Sequence, residues 1–164
     1  MFQFGTCKTG QRLFYKDRYG PRFDAIRVSW EHLGMAAGMA RIEENLDYLV
    51  LTVDTGCSNL GLSLCVKVGP NDSVFWAKKH GKKPSIKFVR YRKPEPTSLV
   101  TMRLKRIADG YNLTAAYYGD AAPLFPSANK AEPNSVEFWN KHALVIDNPS
   151  SINWSTIQDK MHTR

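Results

Sequence analysis

The chain has 164 residues, 43% hydrophobic and 12% aromatic, a globular composition that excludes a disordered or fibrous protein. A net charge of +8 and a pI near 9.5 bias it toward anionic partners: RNA or another polyanion, or an acidic protein. No apolar run reaches the roughly 18 residues of a membrane span, and the start MFQFGTCKTG lacks the basic-then-apolar pattern of a signal peptide. The expectation is therefore a single domain over residues 1–164, cytoplasmic, without membrane contact, with a polar tail from about Asn148.

In chain order, residues 1–23 mix aromatics with Lys and Arg and read as an early strand or arm closing at Gly20-Pro21. Ser29 reads as a helix N-cap. Behind it, Leu33, Ala36, Ala37 and Ala40 form the apolar face of a helix that runs to Asn45. Gly34 and Gly38 weaken that helix by roughly 1 kcal/mol each relative to Ala, and the expected return is close approach to a sheet. Leu46–Val53 is rich in strand formers, Asp54–Asn59 reads as a turn, and Leu60–Val68 alternates, so the pair reads as a hairpin. Val74–Ala77 and Ile86–Val89 are further strands. Leu99–Ile107 and Tyr111–Gly119 form a second hairpin around Asp109-Gly110. A Pro/Ala-rich loop follows, then a short helix over Ser135–His142 capped by Asn134 or Ser135, and a final strand Ala143–Ile146. The fold class that results is α+β, with an N-terminal helix packed on a twisted, mostly antiparallel sheet of five to seven strands.

Charge concentrates in one segment. Between Lys78 and Arg106 there are eleven Lys and Arg residues and one carboxylate, Glu95. The Lys78–Lys83 run reads as a solvated loop that adds attraction without geometry. Arg103 and Lys105 alternate with apolar residues on one strand face, beside Thr101, and suit phosphate binding. On the return strand, alternation puts Asn112, Thr114, Ala116 and Tyr118 on one face. Of the four histidines, His32 lies in the first helical turn, where the macrodipole disfavours added positive charge, which makes it a candidate base. His142 lies at a junction of helix and strand, His80 in the lysine-rich loop and His162 in the tail. No histidine or cysteine pair has metal-ligand spacing, so neither a metal nor a cofactor is expected. Of the three cysteines, Cys57 and Cys65 read as buried small hydrophobes and Cys7 lies near the start.

Two resemblances follow from these residues. Leu51–Leu60, with Asp54-Thr55-Gly56 and Ser58, resembles the active-site strand of pepsin-like aspartic proteases. That resemblance implies a second aspartate supplied by a partner copy, although Ala143–Asp147 lacks the late glycine of the single-lobed enzymes. The run from Ser85 to His142 is longer: a basic strand, a P-x-P-T turn, a T-x-R-L-type strand, Asp109-Gly110, then Y-x-L-x-x-A-Y-Y-G and F-W-x-x-H-A-L-V. It resembles a group of uncharacterised bacterial proteins. Its paired strands are similar to the sheet core of small metal-independent ribonucleases, among them barnase, EndoU-like enzymes, colicin-type nucleases and RelE-type toxins. The resemblance implies a helix on a four- or five-stranded sheet that uses polar side chains of the sheet face.

The first expectation for function is thus RNA cleavage by attack of the ribose 2′-hydroxyl. His142 and His32 would serve as acid and base, Arg103 and Lys105 as phosphate clamp, and Thr101, Thr114 and Tyr118 as orienting groups. The alternatives are a non-catalytic domain binding nucleic acid or an acidic partner, and a dimeric peptidase using Asp54.

Overall fold

The structure, a computed structural model, describes residues 1–16, 25–79, 85–129, 131–145 and 154–157, with backbone alone for 78–79 and 154–157. His80, His162, the Gly20-Pro21 turn, Lys82, Lys83 and Ile146 lie outside the described residues. The chain divides into two compact units, each discontinuous in sequence. Unit 1 holds Met1–Ser63 and Pro96–Ala121; unit 2 holds Leu64–Glu95 and Ala122–Arg164. Each is mainly sheet with one helix, an α+β arrangement in which most strand pairs are antiparallel. Twelve strands occur among the described residues, in two five-stranded sheets and one two-stranded pair, where alternation suggests a single sheet of five to seven strands. Several are only three to five residues long, too short to show a period.

In unit 1, β1 (Phe2–Thr6) and β2 (Arg12–Tyr15) form a hairpin, followed by α1 (Trp30–Met39) and β3 (Tyr48–Asp54). The second half of the unit supplies β9 (Leu99–Ile107) and β10 (Gly110–Tyr118), and the sheet order is β1-β2-β10-β9-β3. Among these five strands the β2–β10 pair is parallel and the other pairs are antiparallel. The Ser29 side chain accepts the His32 backbone N–H at 3.2 Å, and Leu33, Ala36 and Ala37 bury against Leu13, Val100, Met102, Leu104 and Leu113. This cluster is the core of unit 1. Truncating a fully buried member such as Leu104 to Ala would cost about 2–5 kcal/mol.

Three expectations need correction here. The helix stops at Met39 instead of Asn45, with Ala40 already extended. Residues 40–42 are taken by other partners: the Ala40 carbonyl accepts the Lys8 N–H, the Ile42 N–H donates to Thr9 Oγ1, and Gln11 Nε2 donates to the Ile42 carbonyl. The close approach of helix to sheet is made by Gly5 of β1, where an added Cβ would collide with Ala37 Cβ; Gly38 faces open space and Gly34 has ordinary clearance. Finally, β3 pairs with β9 and not with the Leu60–Val68 stretch. That stretch splits into β4 (Gly61–Ser63) and β5 (Cys65–Lys67) on either side of the unit boundary. Its alternation does not hold as burial either, since Leu62 is exposed and Ser63 is buried.

Unit 2 is built on β5, β6 (Val74–Lys79) and β7 (Ile86–Val89), with α2 (Ser135–Lys141), β11 (His142–Val145) and β12 (Trp154–Ile157) from the later part of the chain. Its sheet order is β12-β6-β7-β11-β5, with β7 and β11 parallel. Between the two halves, β8 (Glu95–Thr97) follows the turn after β7. One core cluster is Val66, Val89, Ala143 and Val145. A second is aromatic: Phe125 stacks on Trp139 with ring centroids 3.9 Å apart, beside Trp76. The Pro/Ala-rich loop is thereby anchored. Trp139 Nε1 donates to the Pro123 carbonyl at 3.1 Å, and the Ser135 hydroxyl donates to the Leu124 carbonyl at 2.7 Å. Asn134 holds the N-cap position of α2 without a side-chain cap bond.

Candidate functional site

The face of the unit 1 sheet turned away from α1 carries the cations singled out in the sequence. On β9, Val100, Met102 and Leu104 fill the core, so Thr101, Arg103 and Lys105 project from the opposite face. Residues paired directly across a sheet share a face, which identifies their neighbours. On β3 these are Tyr48 beside Lys105, Val50 beside Arg103 and Thr52 beside Thr101. On β10 they are Asn112, Ala115 and Tyr117, in the same order. Leu49, Leu51 and Val53 point the other way, toward the core.

This face is graded along the strands. At one end Thr101 is fully buried: it shares a hydrogen bond with Thr52 at 2.8 Å and donates to the Gly119 carbonyl at 2.8 Å. Its proton is committed to the Gly119 carbonyl and the hydroxyl is closed off from solvent. At the other end Tyr48 is 61% exposed and Val50 43% exposed, a high value for residues of a seven-residue strand. Lys105 is exposed, with its ammonium 5.9 Å from the centre of the Tyr48 ring, while Arg103 is half-buried. An ammonium beside an exposed aromatic ring, with a guanidinium two residues along, can attract a phosphate while the ring stacks on a planar group.

Tyr118 is not on this face. The β9–β10 register slips at Thr114, so that Leu113 pairs with Leu104 but Ala115 pairs with Arg103. Thr114 is the extra residue of a β-bulge, exposed, with its hydroxyl donating to the Arg103 carbonyl at 3.1 Å. From there on the alternation inverts. Ala116 and Tyr118 turn to the core side, and Ala115 and Tyr117 join Arg103 and Thr101. Simple alternation along the return strand therefore misplaces every residue after the bulge.

On the α1 side, the Tyr118 hydroxyl meets His32. His32 Nδ1 and Tyr118 Oη share a hydrogen bond of 2.7 Å, the rings meet edge to face, and the Ser29 N–H donates to the same oxygen at 3.4 Å. An added Cβ on Gly61 would strike the Tyr118 ring, so the phenol is held from both sides. The pair is thus separated by the thickness of the sheet from Arg103 and Lys105. His142 belongs to unit 2. Its ring stacks on Phe138 with centroids 4.0 Å apart, and its Nδ1 donates to the Phe138 carbonyl at 2.9 Å.

Other cations of the chain are held by acids and carbonyls. Arg106 pairs with Asp47 at 2.7 Å and donates to the Asn45 side chain. In unit 2, Lys87 is only 5% exposed; its ammonium donates to the carbonyls of Trp139 at 2.7 Å and Asn140 at 3.4 Å, at the C-terminal end of α2. Burial lowers its pKa from the ordinary lysine value. Asp54 is an exposed turn carboxylate that accepts the Gly56 N–H at 2.9 Å and the Ser98 hydroxyl at 2.8 Å, and these bonds hold its pKa below the usual carboxylate range. Cys57 is exposed, Cys65 half-buried and Cys7 buried, so the expectation of a buried Cys57 is corrected. Among the described residues, no three His, Cys, Asp or Glu side chains are grouped to hold a metal ion, and no helix is long and apolar enough to cross a membrane.

Comparison of the chain with protein-family models, curated protein sequences and solved structures found no match. Tyr48, Val50 and Tyr117 are the face residues that sequence reasoning passed over. Period-two reading of YLVLTVD, with Leu49, Leu51 and Val53 inward, was the signal that could have found the first two.

Proposed function

We propose that the helix-backed sheet of unit 1 is a binding module for single-stranded nucleic acid, RNA in the first place, and acts without catalysis. The observation that carries this reading is the open end of the sheet face, where Tyr48, Val50 and Lys105 lie exposed beside Arg103. Exposed aromatics interleaved with cations on a sheet provide base stacking and phosphate attraction together. The net charge of +8 adds long-range attraction of the same sign.

The catalytic expectation is less well supported than binding. The phosphate clamp and the His32–Tyr118 pair occupy opposite faces of the unit 1 sheet. General acid–base catalysis needs the proton-transfer groups within hydrogen-bond reach of one phosphate. Release of cleaved products by the pure protein, lost in His32→Ala, would restore the ribonuclease reading.

The test is binding of a fluorescein-labelled single-stranded RNA, followed by anisotropy over a range of salt. The logarithm of the affinity should fall linearly with log salt, and Lys105→Ala should reduce the slope by about 0.7, the value for one phosphate on a single strand. Tyr48→Ala should weaken binding by roughly 1–3 kcal/mol. Weak binding with no salt slope would overturn the proposal.

A further inference from the structure

Outside the sheet face, one residue stands apart in unit 2. Tyr91 is 96% exposed, and its backbone is left-handed, with φ of 62°. A bulky residue in that region is a backbone outlier, held only where its surroundings impose it. The ring has so little contact that packing cannot be what holds it. The restraint comes from its neighbours on both sides. The Arg90 N–H donates to the Ser73 carbonyl at 2.8 Å, and the Arg90 guanidinium lies 4.3 Å above the Phe75 ring. The Arg92 guanidinium pairs with Asp72 at 2.8 Å and Glu95 at 3.3 Å, and also donates to the Lys67 carbonyl at 3.4 Å. Asp72 in turn accepts the Gly69 N–H at 2.7 Å, which ties down the neighbouring turn.

The charge pattern around the ring follows from these bonds. Asp72 and Glu95 are both engaged by Arg92, which offsets part of their charge, and Arg90 and Lys93 add two further cations. Arg90 and Lys93 are exposed on either side of Tyr91. The turn therefore offers an exposed aromatic ring on a backbone of set conformation, flanked by cations. A side chain with only two χ angles on a pre-set backbone keeps the entropy lost on contact low.

We infer that Tyr91 is a stacking platform for an unpaired base of single-stranded nucleic acid, with Lys93 and Arg90 attracting the adjoining phosphates. The inference rests on the nucleic-acid reading of unit 1 and assigns unit 2 a contact of its own with the same class of ligand. A base is the ligand of choice because the ring presents a π-face rather than a pocket, and because stacking tolerates any base.

The experiment uses the full chain and two probes, a labelled uridine decamer and a decamer of the same sugar–phosphate backbone without bases. Tyr91→Ala should weaken binding of the uridine decamer by roughly 5- to 150-fold, and Tyr91→Phe by less than about 2-fold, since stacking needs the ring and not the hydroxyl. Binding of the abasic decamer should be equal for wild type and Tyr91→Ala. Circular dichroism should be unchanged, because the side chain is exposed. An equal loss on both probes would overturn stacking and leave a purely electrostatic role for the turn. Unaltered decamer binding in Tyr91→Ala, with Lys105→Ala weakened, would overturn the inference alone and point to a protein partner for the ring. If wild type binds neither probe at low salt, the inference falls together with the proposal for unit 1.

Discussion

Replacing Gly5 by Ala tests how closely α1 sits on β1. Gly5 has a backbone conformation open to any residue, so the substitution adds no dihedral strain. In the unfolded chain it is favourable, because Ala loses less freedom on folding, by about 0.4–1 kcal/mol. Against this stands the collision of the new methyl with Ala37 Cβ, far inside the roughly 3.5–4.0 Å at which carbon atoms attract. Ala37 is fully buried and its methyl cannot rotate away, so the helix itself must shift. Overpacking of this kind costs about 1–3 kcal/mol. The balance is a net loss of about 1–2 kcal/mol, or about 2–8 °C in Tm for a chain of this length. The decisive assay is a double-mutant cycle by urea denaturation. Ala37→Gly alone should cost about 1 kcal/mol or more through helix propensity. In the double variant the methyl has merely moved from helix to strand, so the clash vanishes and the coupling should be favourable by about 1 kcal/mol or more. A Gly5→Ala protein as stable as wild type, with effects that add, would refute the contact.

Other outcomes follow from the same geometry. Gly110→Ala should be strongly destabilising, by about 3 kcal/mol or more, because φ is 149° and a Cβ would press on the Arg12 backbone, with its carbonyl carbon at 3.1 Å and its nitrogen at 3.3 Å. Calorimetry would check this. Tyr91→Gly should stabilise the chain by about 0.5–1 kcal/mol in denaturant titration, since glycine adopts a positive φ without steric cost. For Lys87, the folded pKa lies below the ordinary 10.5, so the unfolded chain holds more protons between the folded pKa and 10.5. Its contribution to stability therefore rises with pH across that window. The difference in unfolding free energy between wild type and Lys87→Met should grow in favour of wild type as pH climbs toward 10.5, and a flat difference would contradict the burial of the ammonium.

Part of this architecture was legible in the sequence because the signals were local. Asp109-Gly110 marks the β9–β10 turn, and Ser29 marks a helix start through a bond to a backbone N–H three residues on. The partner of β3 was not legible: an apolar alternating strand specifies a buried face but not the strand it lies beside. Thr114 was illegible for a different reason. A bulge residue has no compositional mark when it is neither Gly nor Pro, and its effect on Tyr118 is felt only four residues later. The site was misread accordingly. Arg103 and Lys105 lie on one face as alternation implies, but Tyr118 was assigned to that face by counting through the bulge. The basic segment also looked more uniform than it is, because the sequence does not show that Lys87 turns inward or that Arg92 and Arg106 are matched by acids from elsewhere.

The interleaving of the two units limits how this protein can be made and taken apart. The chain passes between the units three times, after Ser63, Glu95 and Ala121. A ribosome releasing the first 63 residues has delivered β1–β3 and α1 but neither of the strands that join β3 to β2. Until residue 118 has emerged, α1 has only the β1–β2 hairpin to cover and β3 lacks the two strands that join it to that hairpin, while the first segment of unit 2 is already waiting. Late closure of both sheets predicts slow, mutually dependent folding, and any single protease cut or gene truncation that keeps one unit whole also keeps a segment of the other.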